Sequence, residues 1–340
     1  MSQAKINFEL TTRCNLNCRH CLRDKSLKKD LDFKLFEKII NQIKAYSINR
    51  IGFTGGEPLV YPHFKEVIEK SAEEGFEISF VTNGIGLEKY ASFLSQKEIA
   101  DKISHICVSL EGVNEETNDT IRGKGSFKKA LKGIASLYAH KLPFAIKFTI
   151  NSQNYKDLEQ MALFAGKLGA FELQLAFIFP TPENLSLGLA LAPNLWKPIR
   201  DQISQLQSLV KIGIVESAGG WLKDAFPICA HLAMTEYYVD ADGWLCLCCM
   251  LPGLAGADKQ NTEEKVADLA KTSFVQAHKK LIEKINKLFL IRLNRLENNQ
   301  ISELEHFQCL ACAFYLDKLN WLENFPNSKW AQLWKEAKEK

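Results

Sequence analysis

The sequence has no long apolar run, no export signal and no large charge excess. No stretch reaches the roughly 18–20 apolar residues that a membrane helix needs, so no membrane role is expected. The first residues, Met1-Ser-Gln-Ala-Lys5, contain no signal-peptide core. Net charge is +3, too little to argue for nucleic acid or an anionic membrane surface. Internal repeats and low-complexity linkers are also missing. Ten cysteines therefore sit in a chain without the marks of an oxidising compartment. That turns them from disulfides toward metal or redox chemistry in a reducing cytoplasm. With 340 residues, 46% hydrophobic and 24% charged, the chain can build one large core and a smaller domain.

Three of the cysteines crowd into Cys14-Asn-Leu-Asn-Cys18-Arg-His20-Cys21. Thiolates are soft ligands that suit iron–sulfur clusters or zinc. A four-iron cluster takes four cysteines, so three would leave one iron open to another ligand. A closed zinc site wants four protein ligands, and His20 offers a fourth.

Around this run the chain alternates strands and helices. Ile6 to Leu10 reads as a first strand that delivers the cysteine loop at its C-terminal end, where β/α barrels carry their chemistry. Leu35, Phe36, Ile39, Ile40 and Ile43 recur at helical spacing. Ile51-Gly-Phe53 is a short strand ending in Thr54-Gly55-Gly56-Glu57-Pro58, where two glycines let the backbone approach a ligand. Phe64 to Ala72 is a helix stopped at Gly75. Further strands are expected at Glu77–Val81, ending in Asn83, and at Ile106–Leu110, ending in Glu111-Gly112. Two more follow at Phe144–Ile150 and Phe171–Ile178. Ser126 reads as the N-cap of a helix through Leu137. Six strand–helix units in alternation predict a parallel sheet with right-handed crossovers. Six rather than eight predicts an α/β partial barrel, open on one side.

After a helix near Leu195–Leu209 the pattern changes. Asp242-Gly243 between two β-prone runs predicts a hairpin. Around it lie Cys229, Cys246, Cys248 and Cys249, and far downstream Cys309-Leu-Ala-Cys312. On spacing alone these could hold zinc or an iron–sulfur cluster. Cys246 and Cys248 would share a strand face, with Cys249 pointing the other way. Phe274 to Leu293 reads as one or two helices with solvated lysines. Trp321, Trp330 and Trp334 read as a terminal helix packed on the core.

Cys14-x3-Cys18-x2-Cys21 resembles the signature of the radical S-adenosylmethionine (SAM) enzymes, and Cys229, Gly243, Cys248, Cys309 and Cys312 resemble their SPASM accessory domain in its shorter twitch form. The resemblance implies a partial (β/α)6 TIM-like barrel over residues 1–222, and an auxiliary domain of hairpin and helices over 223–340. It implies a SAM-binding [4Fe–4S] cluster on Cys14, Cys18 and Cys21, and one auxiliary [4Fe–4S] cluster on Cys229, Cys248, Cys309 and Cys312. SAM contacts are implied at His20, Gly55, Gly56, Glu57, Asn83, Ser109 and Arg122. The implied chemistry is reductive cleavage of SAM to a 5′-deoxyadenosyl radical, which takes a hydrogen atom from the substrate. The open barrel and the accessory domain favour a peptide or protein residue, changed by oxidation, cross-linking or epimerisation. The alternative is a small-molecule dehydrogenase acting on an aminocyclitol or sugar, and a zinc-bound binding module is a third reading. An electron donor such as flavodoxin or ferredoxin is expected. The first strand starts close to Met1, so the leader-binding extension of many peptide maturases is not expected. Cys246 and Cys249 are candidate hydrogen donors. Tyr237 and Asp240 are candidate bases, as are Glu216 and Asp224.

Overall fold

The computed structural model describes residues 4–217, 219–224 and 228–340. One ten-stranded sheet organises them. Its strands are β1 (Ala4–Thr11), β2 (Ile48–Gly55), β3 (Glu77–Thr82), β4 (Ile103–Ser109), β5 (Phe144–Ile150), β6 (Glu172–Phe177), β7 (Gly213–Glu216), β8 (Glu236–Val239), β9 (Trp244–Cys246) and β10 (Lys265–Asp268). They run in the order β10-β9-β8-β1-β2-β3-β4-β5-β6-β7. Every neighbouring pair from β1 to β7 is parallel, with helices between strands, as the alternating pattern predicts. This is the α/β partial barrel expected from the sequence.

Two features extend it. A seventh parallel strand, β7, follows the long helix Pro193–Leu209. It was invisible because only Ile214 is buried, Val215 is 45% exposed, and four residues carry too little alternation to read. The hairpin β8–β9 forms where Asp242-Gly243 predicts it, with Gly243 at φ +83°. Asp240 closes the turn by accepting the Asp242 and Trp244 amides. β8 then pairs in parallel with the free edge of β1, so the hairpin continues the barrel sheet.

Period-two alternation sorts β1. Ile6, Phe8 and Leu10 are fully buried beneath the helix Phe33–Ile43, where Phe8 meets Phe36 edge-on at 5.0 Å. Burying each such ring contributes about 1.5–3 kcal/mol. Asp32 caps that helix by accepting the Leu35 amide. Asn7, on the other face, lines the barrel and fills the space that Gly52 leaves open.

Two local readings are refined and a third holds. Gly125, at φ +77°, takes the N-cap position expected of Ser126. The Asp119 carboxylate accepts instead from Gly125 N, Phe127 N and the Ser126 hydroxyl. Phe274–Glu297 is a single helix. Trp330 packs on Trp196 and Phe307 with ring centroids 5.5 and 4.9 Å away, and its Nε1 donates to Leu191 O. The tail aromatics are thus core residues, as expected. No described helix is long and apolar enough to cross a membrane.

Candidate functional site

The first cysteine loop leaves the end of β1 under firm anchorage. Thr12 N donates to Lys29 O at 2.9 Å, and Arg13 grips Asp30 through Nε and Nη2 at 3.0 and 2.7 Å. From β2, Gly56 N donates to Thr11 O and Glu57 N to Arg13 O, at 2.7 and 2.9 Å. This is what the two glycines are for. Gly55 sits at φ +138°, and a Cβ on Gly56 would collide with the Arg13 carbonyl. Gly56→Ala is therefore expected to push the loop off β2. Metal bound at the first loop should be largely lost, read as iron per chain falling toward half of wild type after anaerobic reconstitution.

Within the loop, Cys14 is exposed and Cys18 and Cys21 are half-buried. The three thiols are electrostatic neighbours. Cys18 Sγ lies 3.9 Å from Arg122 O, and Arg19 N donates to Ile121 O at 2.9 Å. Asn83, after β3, reaches Asn15 Oδ1 at 2.7 Å and Cys14 Sγ at 3.9 Å. Burial pushes the Cys18 thiol up to about 11. Among the described residues, no three His, Cys, Asp or Glu side chains close on the geometry of a single metal ion.

Glu57 is fully engaged. Its Oε1 accepts from Thr82 Oγ1 at 2.7 Å and Leu59 N at 3.1 Å, and its Oε2 accepts from Asn83 N at 2.7 Å. The carboxylate thus ties the end of β2 to the end of β3 and fixes Asn83. Burial raises its pKa to about 6. The fold therefore holds the Glu57 proton more tightly than the unfolded chain does. Its contribution is fully present below pH 4.5 and is lost as pH rises from there to above 6. Wild type should lose about 2 kcal/mol across that window relative to Glu57→Gln, measured by urea unfolding.

Glu111, after β4, is the hub that the sequence did not single out. It is fully buried. Its Oε1 accepts from Arg122 Nε at 3.2 Å and Nη2 at 2.8 Å, while its Oε2 accepts from Thr149 N at 2.7 Å. His20 Nε2 lies 3.4 Å from the same Oε1. Burial drives the His20 pKa well below its ordinary value, helped by Arg122, so the ring is neutral. With Nε2–H turned to Glu111, Nδ1 is a lone-pair acceptor, and it is buried without a partner. Ser109 is buried at the end of β4, in register with Lys147 of β5.

Among the described residues, the second thiol set lies in one region of the fold, without closing on the geometry of a single metal ion. Cys309 and Cys312 share one face of the helix Gln308–Tyr315 at i, i+3 spacing. They are electrostatic neighbours of Cys229 and Cys248. The Gly219 backbone presses on the set, since a Cβ there would stand 3.1 Å from Cys309 Sγ. Burial pushes Cys312 up to about 12.

Four expectations are corrected here. Cys246 does not share surroundings with Cys248, because β9 ends at Cys246 and the period-two rule ends with it. Cys246 is buried with its thiol on Trp244 O at 3.5 Å, toward Asp240 and Lys265. Cys249, expected to point away, joins the second set and interacts with His231. Tyr237 shares a face with Ile6 and packs on Phe274 and His278 in the helix layer, so it is no base for the barrel. Asp240 is occupied with its turn and with Lys265 at 3.0 Å. Of the weaker acid candidates, Glu216 pairs with Arg200 at 3.1 Å, and Asp224 lies exposed on the chain after β7.

Comparison with known proteins points one way. Residues 8–165 match the radical SAM superfamily. The mycofactocin maturase MftC of Mycolicibacterium smegmatis is 30% identical over 169 residues, covering 48% of this chain and 42% of that protein. The AdoMet-dependent heme synthase of Methanosarcina barkeri is 31% identical over 181 residues, covering 52% and 51%. The chain thus spans about half the length of these curated relatives. Among solved structures, anSMEcpe with bound AdoMet and Kp18Cys peptide superposes with a TM-score of 0.64 at 16% identity, over 84% of this chain and 83% of that one. At that identity the likeness concerns the fold.

Proposed function

We propose, from a chain whose residues 8–165 are a radical SAM domain, that this protein cleaves SAM reductively and removes a hydrogen atom from a peptide or protein residue. The domain implies a four-iron cluster and SAM. Bound, they supply an electron and a 5′-deoxyadenosyl radical able to abstract hydrogen.

The residues present fit these groups. Cys14, Cys18 and Cys21 would hold the cluster, and three thiolates leave one iron free for SAM. A buried thiolate needs nearby positive charge, which iron would supply to Cys18 if bound there. The observation that carries the reading is the buried, unpartnered Nδ1 of His20 beside those thiols. It is an acceptor waiting for a donor such as the SAM amino nitrogens. Arg122 gives Nε–H and one Nη2 hydrogen to Glu111, so Nη1 and the second Nη2 hydrogen remain for the SAM carboxylate. Gly55, Gly56 and Glu57 support the loop from β2, Asn83 orients Asn15 and Cys14, and Ser109 is buried at the end of β4.

In the same reading the chain divides into a core over 1–222 and an auxiliary domain over 223–340. Cys229, Cys248, Cys309 and Cys312 would hold an auxiliary four-iron cluster, with flavodoxin or ferredoxin as electron donor in a reducing cytoplasm. A peptide substrate is supported by a relative named PqqA peptide cyclase and by the fold shared with a peptide-bound structure. A small-molecule substrate has one observation behind it, the relative named a heme synthase.

The test is anaerobic incubation of reconstituted protein with SAM, dithionite and candidate substrates. 5′-Deoxyadenosine should accumulate, with a matching mass change in a peptide encoded by a neighbouring gene. Accumulation only with a tetrapyrrole, sugar or cyclitol would move the assignment to the small-molecule reading. No 5′-deoxyadenosine from any mixture would refute both.

A further inference from the structure

The two cysteine sites are far apart in sequence but joined by one side chain. Arg23 stands two residues past Cys21, and Cys249 directly follows Cys248. Arg23 Nη2 donates to Cys249 O at 2.6 Å and to the Tyr238 hydroxyl at 2.9 Å, and Nη1 donates to Pro252 O. Its Nε lies 3.6 Å from Glu9 Oε1. The backbone on both sides is zipped to the same segment. Asp24 N donates to Gly253 O at 2.7 Å and Ala255 N to Leu22 O at 2.9 Å, flanking a bridge between Arg23 and Leu254.

We propose that Arg23 is a positioning residue that clasps the second cysteine segment onto the first cysteine loop and fixes a positive charge between the two sites. The proposal rests on the reading that both sites hold iron–sulfur clusters. Only a guanidinium can serve these acceptors at once, because its planar fork presents five donors in fixed directions. Lysine carries the charge without the fork. Burial opposes the charge on Arg23, but Tyr238, Glu9 and the thiols of Cys249 and Cys21 hold its pKa above the ordinary value, so the charge is permanent. Cluster potentials respond to net charge and hydrogen bonding around the sulfurs, and a cation favours the reduced form. The first loop thereby sets the potential of a centre bound by the second.

The test uses the full chain, reconstituted anaerobically, as wild type, Arg23→Gln and Arg23→Lys, with potentials read by electron paramagnetic resonance during redox titration. Arg23→Gln should shift the auxiliary midpoint to more negative potential, while Arg23→Lys should stay near wild type. An unchanged midpoint in Arg23→Gln overturns the electrostatic part. The clasp has its own readout in metal-free chain, the rate at which iodoacetamide labels Cys248 and Cys249. Both variants should label several-fold faster than wild type, and equal rates overturn the clasp. Wild type without iron at the second set would count against the cluster reading alone, since the labelling rates still decide the role of Arg23.

Discussion

Replacing Cys14, Cys18 and Cys21 together with alanine is expected to reduce SAM cleavage to background while leaving the fold intact. The loop does not depend on its thiols for position. Arg13–Asp30, Thr12–Lys29 and the Gly56 and Glu57 amides hold its base through backbone and ion-pair contacts. No other thiol can step in. Cys107 lies on a barrel strand, fully buried, with its thiol on Gln174 Oε1 at 3.2 Å. The second thiol set keeps its own ligands, so the brown colour of the reconstituted protein should weaken without vanishing. The readout is 5′-deoxyadenosine formed with dithionite, beside an unchanged far-ultraviolet circular dichroism spectrum. Cleavage at the wild-type rate in the variant would contradict the assignment of this loop.

The largest stability effect is expected at Glu111. In Glu111→Ala the Arg122 guanidinium stays buried without its counter-charge, and Thr149 N loses its acceptor. Breaking one side of a buried pair costs about 3–5 kcal/mol, because an uncompensated charge remains. Urea unfolding of the metal-free chain should show that loss as a lower midpoint with an unchanged slope. Glu111→Gln keeps acceptor capacity toward Thr149 N or Arg122 and should lose less. By contrast, Lys97–Asp101 is an exposed i, i+4 pair with side chains 81% and 61% accessible. Removing it should leave the midpoint where it was. The comparison separates burial from mere pairing as the source of the effect.

Much of this architecture is legible in the residues, and the exceptions have physical causes. β1 and β5 follow from alternation, and the hairpin from Asp242-Gly243, because a local pattern dictates each. The first cysteine loop follows from spacing alone, since metal ligands must be close. Glu111 escaped notice because its sequence neighbours say only that a strand has ended. Its partners, His20, Arg122 and Thr149, lie 91, 11 and 38 positions away in the chain by their residue numbers, and tertiary structure alone unites them. Arg23 is harder still, since its partners include backbone carbonyls, which leave no mark in a sequence. Cys249 departs from the expected direction because strand alternation holds only as far as Cys246, where β9 stops.

If the two thiol sets hold two four-iron clusters, the first of them serving SAM, the iron content divides between them. Iron and acid-labile sulfide in anaerobically reconstituted wild type, beside the Cys14/Cys18/Cys21→Ala variant, test it most directly. About eight irons per chain should fall to about four in the variant. About four irons in wild type falling to none would leave the second set without an iron–sulfur cluster and contradict the two-cluster account.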